Sequence, residues 1–158
     1  KGQSAGSLSL AQTSKIDWVG AKVTGDHKGG FKIIKGSASL KESKVESIFA
    51  EIDIASIFSD SGRLTQHLLS KDFFEASKYP KAIFSSTKIE EGKITGTLEM
   101  RSIKKEISFP ATISVSKELI DIKAEFTINR RLWDINYNGK ANNLIKDDVL
   151  IKLDVQYK

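Results

Sequence analysis

Alternation of apolar and polar residues with a period of two most limits the folds open to this chain. Ile48, Ala50, Ile52 and Ile54 alternate with Phe49, Glu51, Asp53 and Ala55, and Ile94, Gly96, Leu98 and Met100 alternate with Thr95, Thr97, Glu99 and Arg101. Successive side chains of a strand point to opposite faces, so each run describes a strand with one apolar face. Ile107 to Val115, Ile120 to Ile128 and Val149 to Tyr157 repeat the pattern. With "SKIDWVGAKV", "GGFKIIKGSASL" and "KAIFSSTKI" they make about eight strands, joined by turn signals such as "EEGK", "SKEL" and "ESK".

Strands of this kind build either a sandwich or a closed up-and-down barrel. The short connections between residues 81 and 130 favour a meander, and closure removes the edges through which sheets aggregate. The expected fold is therefore all-β, an eight-stranded antiparallel barrel. At that size the interior is either filled by side chains or holds one small ligand. Pro110 stands inside an alternating run and has no N–H for the ladder, which predicts a bulge or a weakly paired position there.

One stretch breaks the rhythm: "TQHLLSKDFFEASKYPKAIFSS", from Thr65 to Ser86. Between "IFSDSG" and Pro80 the period lengthens to that of a helix, with Asp60 or Ser61 as N-cap and Leu64, His67 and Leu68 on one face. Phe73 and Phe74 add bulk, and Asp72 is placed to cap a second turn. This short helical insertion, near residues 61–75, is too brief to stand alone and must lie on the barrel. Two readings follow: it walls a ligand cavity, or it plugs a solid core.

At 158 residues the chain suits one domain, and it has no cysteine for disulfides or thiolate metal sites. No apolar run approaches the roughly 20 residues needed to span a bilayer. The lead "KGQSAGSLSLAQTS" is small and polar. It reads as a flexible tether over residues 1–13 ahead of a barrel domain over 14–158, as in a processed secretory protein. A net charge of +5 invites an anionic partner or nucleic acid on the exterior, with Trp18, Trp133, Tyr137 and Tyr157 as a stacking platform. Against that, the lysines are interleaved with acids, as in "KESKVESIFAEID" and "KDDVLIKLD", and Trp18 and Tyr157 fall at inward strand positions.

Only His27 and His67 offer imidazole, and no HExxH pair, nucleophile elbow, P-loop or dinucleotide fingerprint is present. No metal site and no catalytic residue is expected. His67 reads either as a satisfied core residue or as a ligand contact, and as the acid or base of a lipid-directed catalyst it would be the first suspect. Arg130 continues the phase of Phe126 and Ile128 and so points inward at the barrel end, beside Trp133. A buried arginine must be paired, either with carboxylates and carbonyls of the protein or with a polar ligand head.

With these residues in view, the chain resembles the YceI-like family of lipocalin-like, polyisoprenoid-binding proteins. "HLLSKDFFEASKYPKAIFSS" resembles the family's "HL.S.DFF...KYP...F.S", "TGTLEMRSIKKEI" its "G.LT..G.TK.V", and "TINRRLWDI" its "NR..FGI". The resemblance runs from residue 15 to about 157. It departs at Ser102 and Asp134, where the family has Gly, at Lys104, where it has Thr, and at Leu69, where a basic residue is common.

The resemblance implies a lipocalin-like barrel around a long isoprenoid, prenyl quinone or similar lipid, in proteins mostly exported to the periplasm. The expectation is a non-enzymatic, periplasmic or extracellular carrier, monomer or homodimer. It has no cofactor beyond a bound lipid, no nucleic-acid partner and no membrane span. The expected ligand contacts are Trp18, Ile52, Ile54, Leu64, Leu68, Phe73, Phe84, Leu98, Met100, Phe109, Ile122, Phe126 and Trp133, with His67 and Arg130 orienting the polar end.

Overall fold

A computed structural model describes residues 5–141 and 143–158. The alternating runs follow one another in eight passes. β1 (Ala5–Ser9) and β2 (Lys15–Lys22) form the first, β3 (Gly25–Phe31) and β4 (Ile34–Lys41) the second, and β5 (Lys44–Asp53) and β6 (Ile57–Ser59) the third. After the helix α1 (Gly62–Leu69) come β7 (Lys81–Glu90) and β8 (Lys93–Met100). The sixth pass joins β9 (Ile103–Pro110) to β10 (Thr112–Ser116), and β11 (Leu119–Asn129) is the seventh. A small ribbon of β12 (Gly139–Lys140) and β13 (Asn143–Leu144) precedes the last pass, β14 (Asp148–Tyr157).

Each pass is hydrogen-bonded antiparallel to the next, and β14 pairs back onto β2, so the ring closes. The expected all-β antiparallel barrel is there, but with more strands than eight: four of its passes bend, and each bend moves the chain from one six-stranded sheet to the other. The causes are local. A 3-10 turn at Ile54–Ser56, with Asp53 accepting from the Ala55 N–H, breaks the third pass. Pro110 ends β9 opposite Lys93, and Ala111 then donates to the Gly92 carbonyl as the chain crosses over. The proline thus marks a corner rather than a bulge, in keeping with its missing donor.

The expected tether needs correction. Residues 1–4 lie outside the described residues, but Ala5–Ser9 pairs with β4 and buries Leu8. Ser9 and Lys158 exchange backbone hydrogen bonds of 3.1 and 2.9 Å, and Leu10 bridges to Tyr157. Leu8 and Leu10 supply the apolar alternation that a Gly/Ser-rich lead disguised.

Ser61 caps α1 by accepting from the Leu64 N–H, and the helix ends at Leu69, short of the expected span. Asp72 caps nothing. Its carboxylate lies 2.8 Å from His67 Nε2, while the Asp72 N–H donates to Ser70 Oγ. Turns over residues 71–74 and 76–78 lead back to β7, with Glu75 between them in left-handed conformation at φ 48°. Ser102 and Asp134, which stand where the resembled motif has glycine, also take left-handed φ of 62° and 63°. That conformation explains the motif's preference for glycine, and Asp is among the residues that tolerate it best.

Candidate ligand cavity

The barrel interior holds two apolar clusters. One contains Ile94, Leu98, Phe109, Ile120, Ile122, Trp133 and Tyr157; the other joins Trp18, Ile57, Leu68, Phe73 and Ile135. The second cluster surrounds a cavity of about 620 Å³, within the roughly 300–1,000 Å³ typical of small-molecule sites. β2 contributes Trp18 and Gly20 to it, β6 contributes Ile57, and β11 and β14 contribute Ile128, Val149 and Ile151.

α1 presents Leu64, His67 and Leu68 to the same cavity, and Phe73 follows from the next turn. Of the two sequence readings, the helix is therefore a wall and not a plug. Its position is fixed by an aromatic group: His67 packs edge-on against Phe73 at 5.0 Å and Tyr137 at 4.7 Å between ring centres. Asp72 holds the ring through Nε2 at 2.8 Å.

Arg130 is satisfied internally. Its Nε donates to the Lys146 carbonyl, Nη1 to Ile135 at 2.7 Å and Nη2 to Ile145, and Asp147 lies 3.9 Å away. Burial lowers its pKa from the ordinary value, the Arg131 charge adds to that effect and Asp147 opposes it. Three carbonyls on one guanidinium tie the segment carrying Ile135, Ile145 and Lys146 to the barrel end. The side chain borders the cavity but its hydrogen bonds are spent on the frame.

Arg101 does a similar job on the other side, and sequence reasoning missed it. Its Nη1 donates to the Trp133 and Asp134 carbonyls, and its guanidinium lies 5.2 Å from the centre of the Tyr79 ring and 3.7 Å from Glu75. It fastens the turns after α1 to the barrel. An arginine at the end of an alternating run gives no signal of this, because its partners come from two distant segments.

Trp18, Leu64, His67, Leu68, Phe73, Met100 and Arg130 of the expected contacts line the cavity. Ile52, Ile54, Phe84, Leu98, Phe109, Ile122, Phe126 and Trp133 do not; they belong to or pack on the first cluster. There Phe109 stacks on Phe126 at 4.2 Å, and Phe84 tilts against Phe109 at 5.9 Å. Trp133 is fully buried and donates through Nε1 to the Leu98 carbonyl. Alternation tells which side chains point inward but not how far along the barrel axis they sit. Gly20, Ile128, Val149 and Ile151 share the inward phase and could have been read from it; Ile135, Tyr137 and Ile145 lie in irregular chain and could not.

The stacking platform is not on the outside. Trp18, Trp133 and Tyr157 are at most 7% exposed, and the Tyr157 hydroxyl donates to the Phe49 carbonyl. Among the described residues no helix is long and apolar enough to cross a membrane.

Comparison with known proteins agrees with this geometry. A family model described as a YceI-like domain matches residues 10–157. A UPF0312 protein of Pseudomonas putida is 31% identical over 137 residues, covering 78% of this chain and 71% of the relative. The crystal structure of a Campylobacter jejuni YCEI protein superposes with a TM-score of 0.73 at 27% identity, covering 81% of this chain and 82% of that one. Burkholderia cenocepacia BcnA shares the fold, with a TM-score of 0.80, 22% identity and coverage of 91% and 96%. So does a polyisoprenoid binding domain from Saccharophagus degradans, with a TM-score of 0.77, 15% identity and coverage of 96% and 97%.

Proposed function

The chain belongs to the YceI-like family, and from that premise we propose that it binds the apolar tail of an isoprenoid or similar amphiphile without transforming it. The observation that carries this reading is the cavity of about 620 Å³ walled by Trp18, Ile57, Leu68 and Phe73. Such walls favour a ligand by removing its hydrocarbon from water, at roughly 2.5 kcal/mol for each 100 Å² of apolar surface. The polyisoprenoid binding domain from Saccharophagus degradans, which shares the fold, supports the class of tail. A non-catalytic role fits Arg130, whose donors are taken up by the Lys146, Ile135 and Ile145 carbonyls.

Native mass spectrometry of the purified protein, with organic extraction and thermal melting in the presence of geranylgeraniol, tests the proposal. We expect a co-purifying amphiphile or a clear rise in melting temperature with the added alcohol. Absence of both would overturn it.

A further inference from the structure

The two ends of the barrel differ in what their loops expose. The turns between β4 and β5, β7 and β8, and β10 and β11 are Glu42–Ser43, Glu91–Gly92 and Lys117–Glu118, with three carboxylates, one ammonium and no large apolar side chain. The opposite end, where α1 and the β12–β13 ribbon border the cavity, carries Val23 at 68% exposure and Leu144 at 48%. Isolated apolar side chains on a surface call for no explanation, but these two adjoin.

Backbone pairing puts them side by side. Lys22 bridges to Ile145, the Val23 N–H donates to the Leu144 carbonyl at 3.1 Å, and the Lys146 N–H donates to the Ala21 carbonyl at 2.9 Å. Thr24 adds two bonds to Asn143 Oδ1, at 3.2 Å from its N–H and 3.1 Å from its hydroxyl. In that register Val23 stands opposite Leu144, and alternation turns both away from the cavity that Lys22 and Ile145 line. The pair forms a braced apolar tip beside the mouth.

Cations surround the tip. Lys22 precedes Val23, Lys146 follows Ile145, Lys140 stands on the same ribbon as Leu144, and Arg63 borders the mouth from the first turn of α1. None of the four makes a salt bridge among the described residues. Of the nearby acids, Asp60 is held by His27 and Asp147 by Arg131, which leaves Asp26 in the β2–β3 hairpin and Asp148 at the start of β14. The balance beside the mouth is therefore positive, opposite in sign to the turns at the other end.

Aliphatic side chains at a tip with cations around them match a lipid–water interface, which draws hydrocarbon inward and meets lysines with anionic head groups. We propose that this end of the barrel docks on the surface of an anionic lipid bilayer, with Val23 and Leu144 entering the interface. The purpose rests on the tail-binding reading, since docking gives a membrane amphiphile a path into the cavity without crossing water. The docking itself is measured without ligand.

Vesicle sedimentation at low ionic strength, with phosphatidylcholine alone and with added phosphatidylglycerol, tests this. We expect partition to rise about tenfold or more with the anionic lipid, at about fivefold for each cation brought to the surface, and to collapse near 1 M salt, where screening acts over about 3 Å. Val23→Ser/Leu144→Ser should weaken partition about tenfold. It should leave melting with geranylgeraniol unchanged, because neither side chain lines the cavity. The chain has no cysteine, so a polarity-sensitive fluorophore on Leu144→Cys should shift to the blue on anionic vesicles, while one on Glu118→Cys, at the far end, should not.

Partition indifferent to lipid charge, undiminished partition in Val23→Ser/Leu144→Ser, or equal shifts of the two fluorophores would overturn the proposal. So would binding to native membranes but not to protein-free vesicles, which would make the tip a docking site for a protein. Absence of partition beside an intact melting shift with geranylgeraniol would overturn docking and leave tail binding standing; partition without a melting shift would do the reverse. The salt series on the unaltered protein decides the matter even if a variant folds poorly.

Discussion

Gly20 and Gly96 both lie on inward-facing strand positions, and their surroundings separate the two ends of the barrel. A Cβ on Gly96 would run into the Phe84 ring and the Ser85 carbonyl; a Cβ on Gly20 would meet nothing nearer than the Trp18 ring at 3.8 Å. At the first end, aromatic rings occupy the room that glycine releases. At the second end the room stays open and forms part of the cavity. The same barrel strands serve both, so the division of labour lies in side-chain size and in the wall added by α1, not in a change of backbone plan.

Truncation gives the largest expected contrast. Phe109→Ala at the packed end should cost about 3–5 kcal/mol of stability, because it opens a void among stacked rings. Leu68→Ala at the hollow end should cost about 2 kcal/mol, near the lower limit for such a change, because its neighbours already border open space. Ligand at a hundred times its Kd stabilises the folded state by about 2.7 kcal/mol. We expect that increment to persist in Phe109→Ala and to shrink sharply in Leu68→Ala. Denaturant melts with and without geranylgeraniol measure both, and an increment unchanged in Leu68→Ala would place the ligand elsewhere.

Filling is the inverse operation and has a smaller effect. Gly96→Val should lose about 1–3 kcal/mol through overpacking. Gly20→Leu should change stability by less and abolish ligand-dependent melting. Equal losses at the two glycines would erase the distinction between the ends.

Tyr157, at the packed end, gives the smallest effect at neutral pH. Burial raises its pKa above the ordinary phenol value. Its contribution is complete below that value, about 10, and declines as pH rises above it, because the unfolded chain releases the proton first. Stability should fall by about 1.4 kcal/mol for each pH unit above 10 from this group alone. In Tyr157→Phe that component of the alkaline decline should vanish, while loss of the bond to the Phe49 carbonyl costs about 1 kcal/mol at pH 7. Parallel alkaline profiles for the two proteins would contradict the assignment.

Strand phase made much of this legible. Ile48, Ala50, Ile52 and Ile54 point inward as their alternation requires, and the change of period at Ser61 marks the helix start. The bends were only partly legible: Pro110 flagged one, whereas the 3-10 turn at Ile54–Ser56 carries no proline or glycine and shows only as Ile57 buried out of phase with Ile54. The cavity was only half legible: Phe109 and Phe73 are both large, inward and aromatic, yet one fills and the other lines. What separates them is the identity of their neighbours, Phe126 from β11 in one case and His67 of α1 with Tyr137 of the irregular chain in the other. No local pattern encodes that pairing.

The reciprocal hydrogen bonds between Ser9 and Lys158 carry a consequence for how the molecule comes into being. They join β1 to the residue that follows β14, so this seam cannot be made until the last pass has been synthesised. Seven passes can pair with their sequence neighbours as they emerge, each at little loop entropy, but the ring remains an open sheet with two free edges until β14 arrives. Closure is the most non-local event in the chain and should set the folding rate. Until that moment the hollow end has no complete wall, so ligand capture should follow closure rather than guide it.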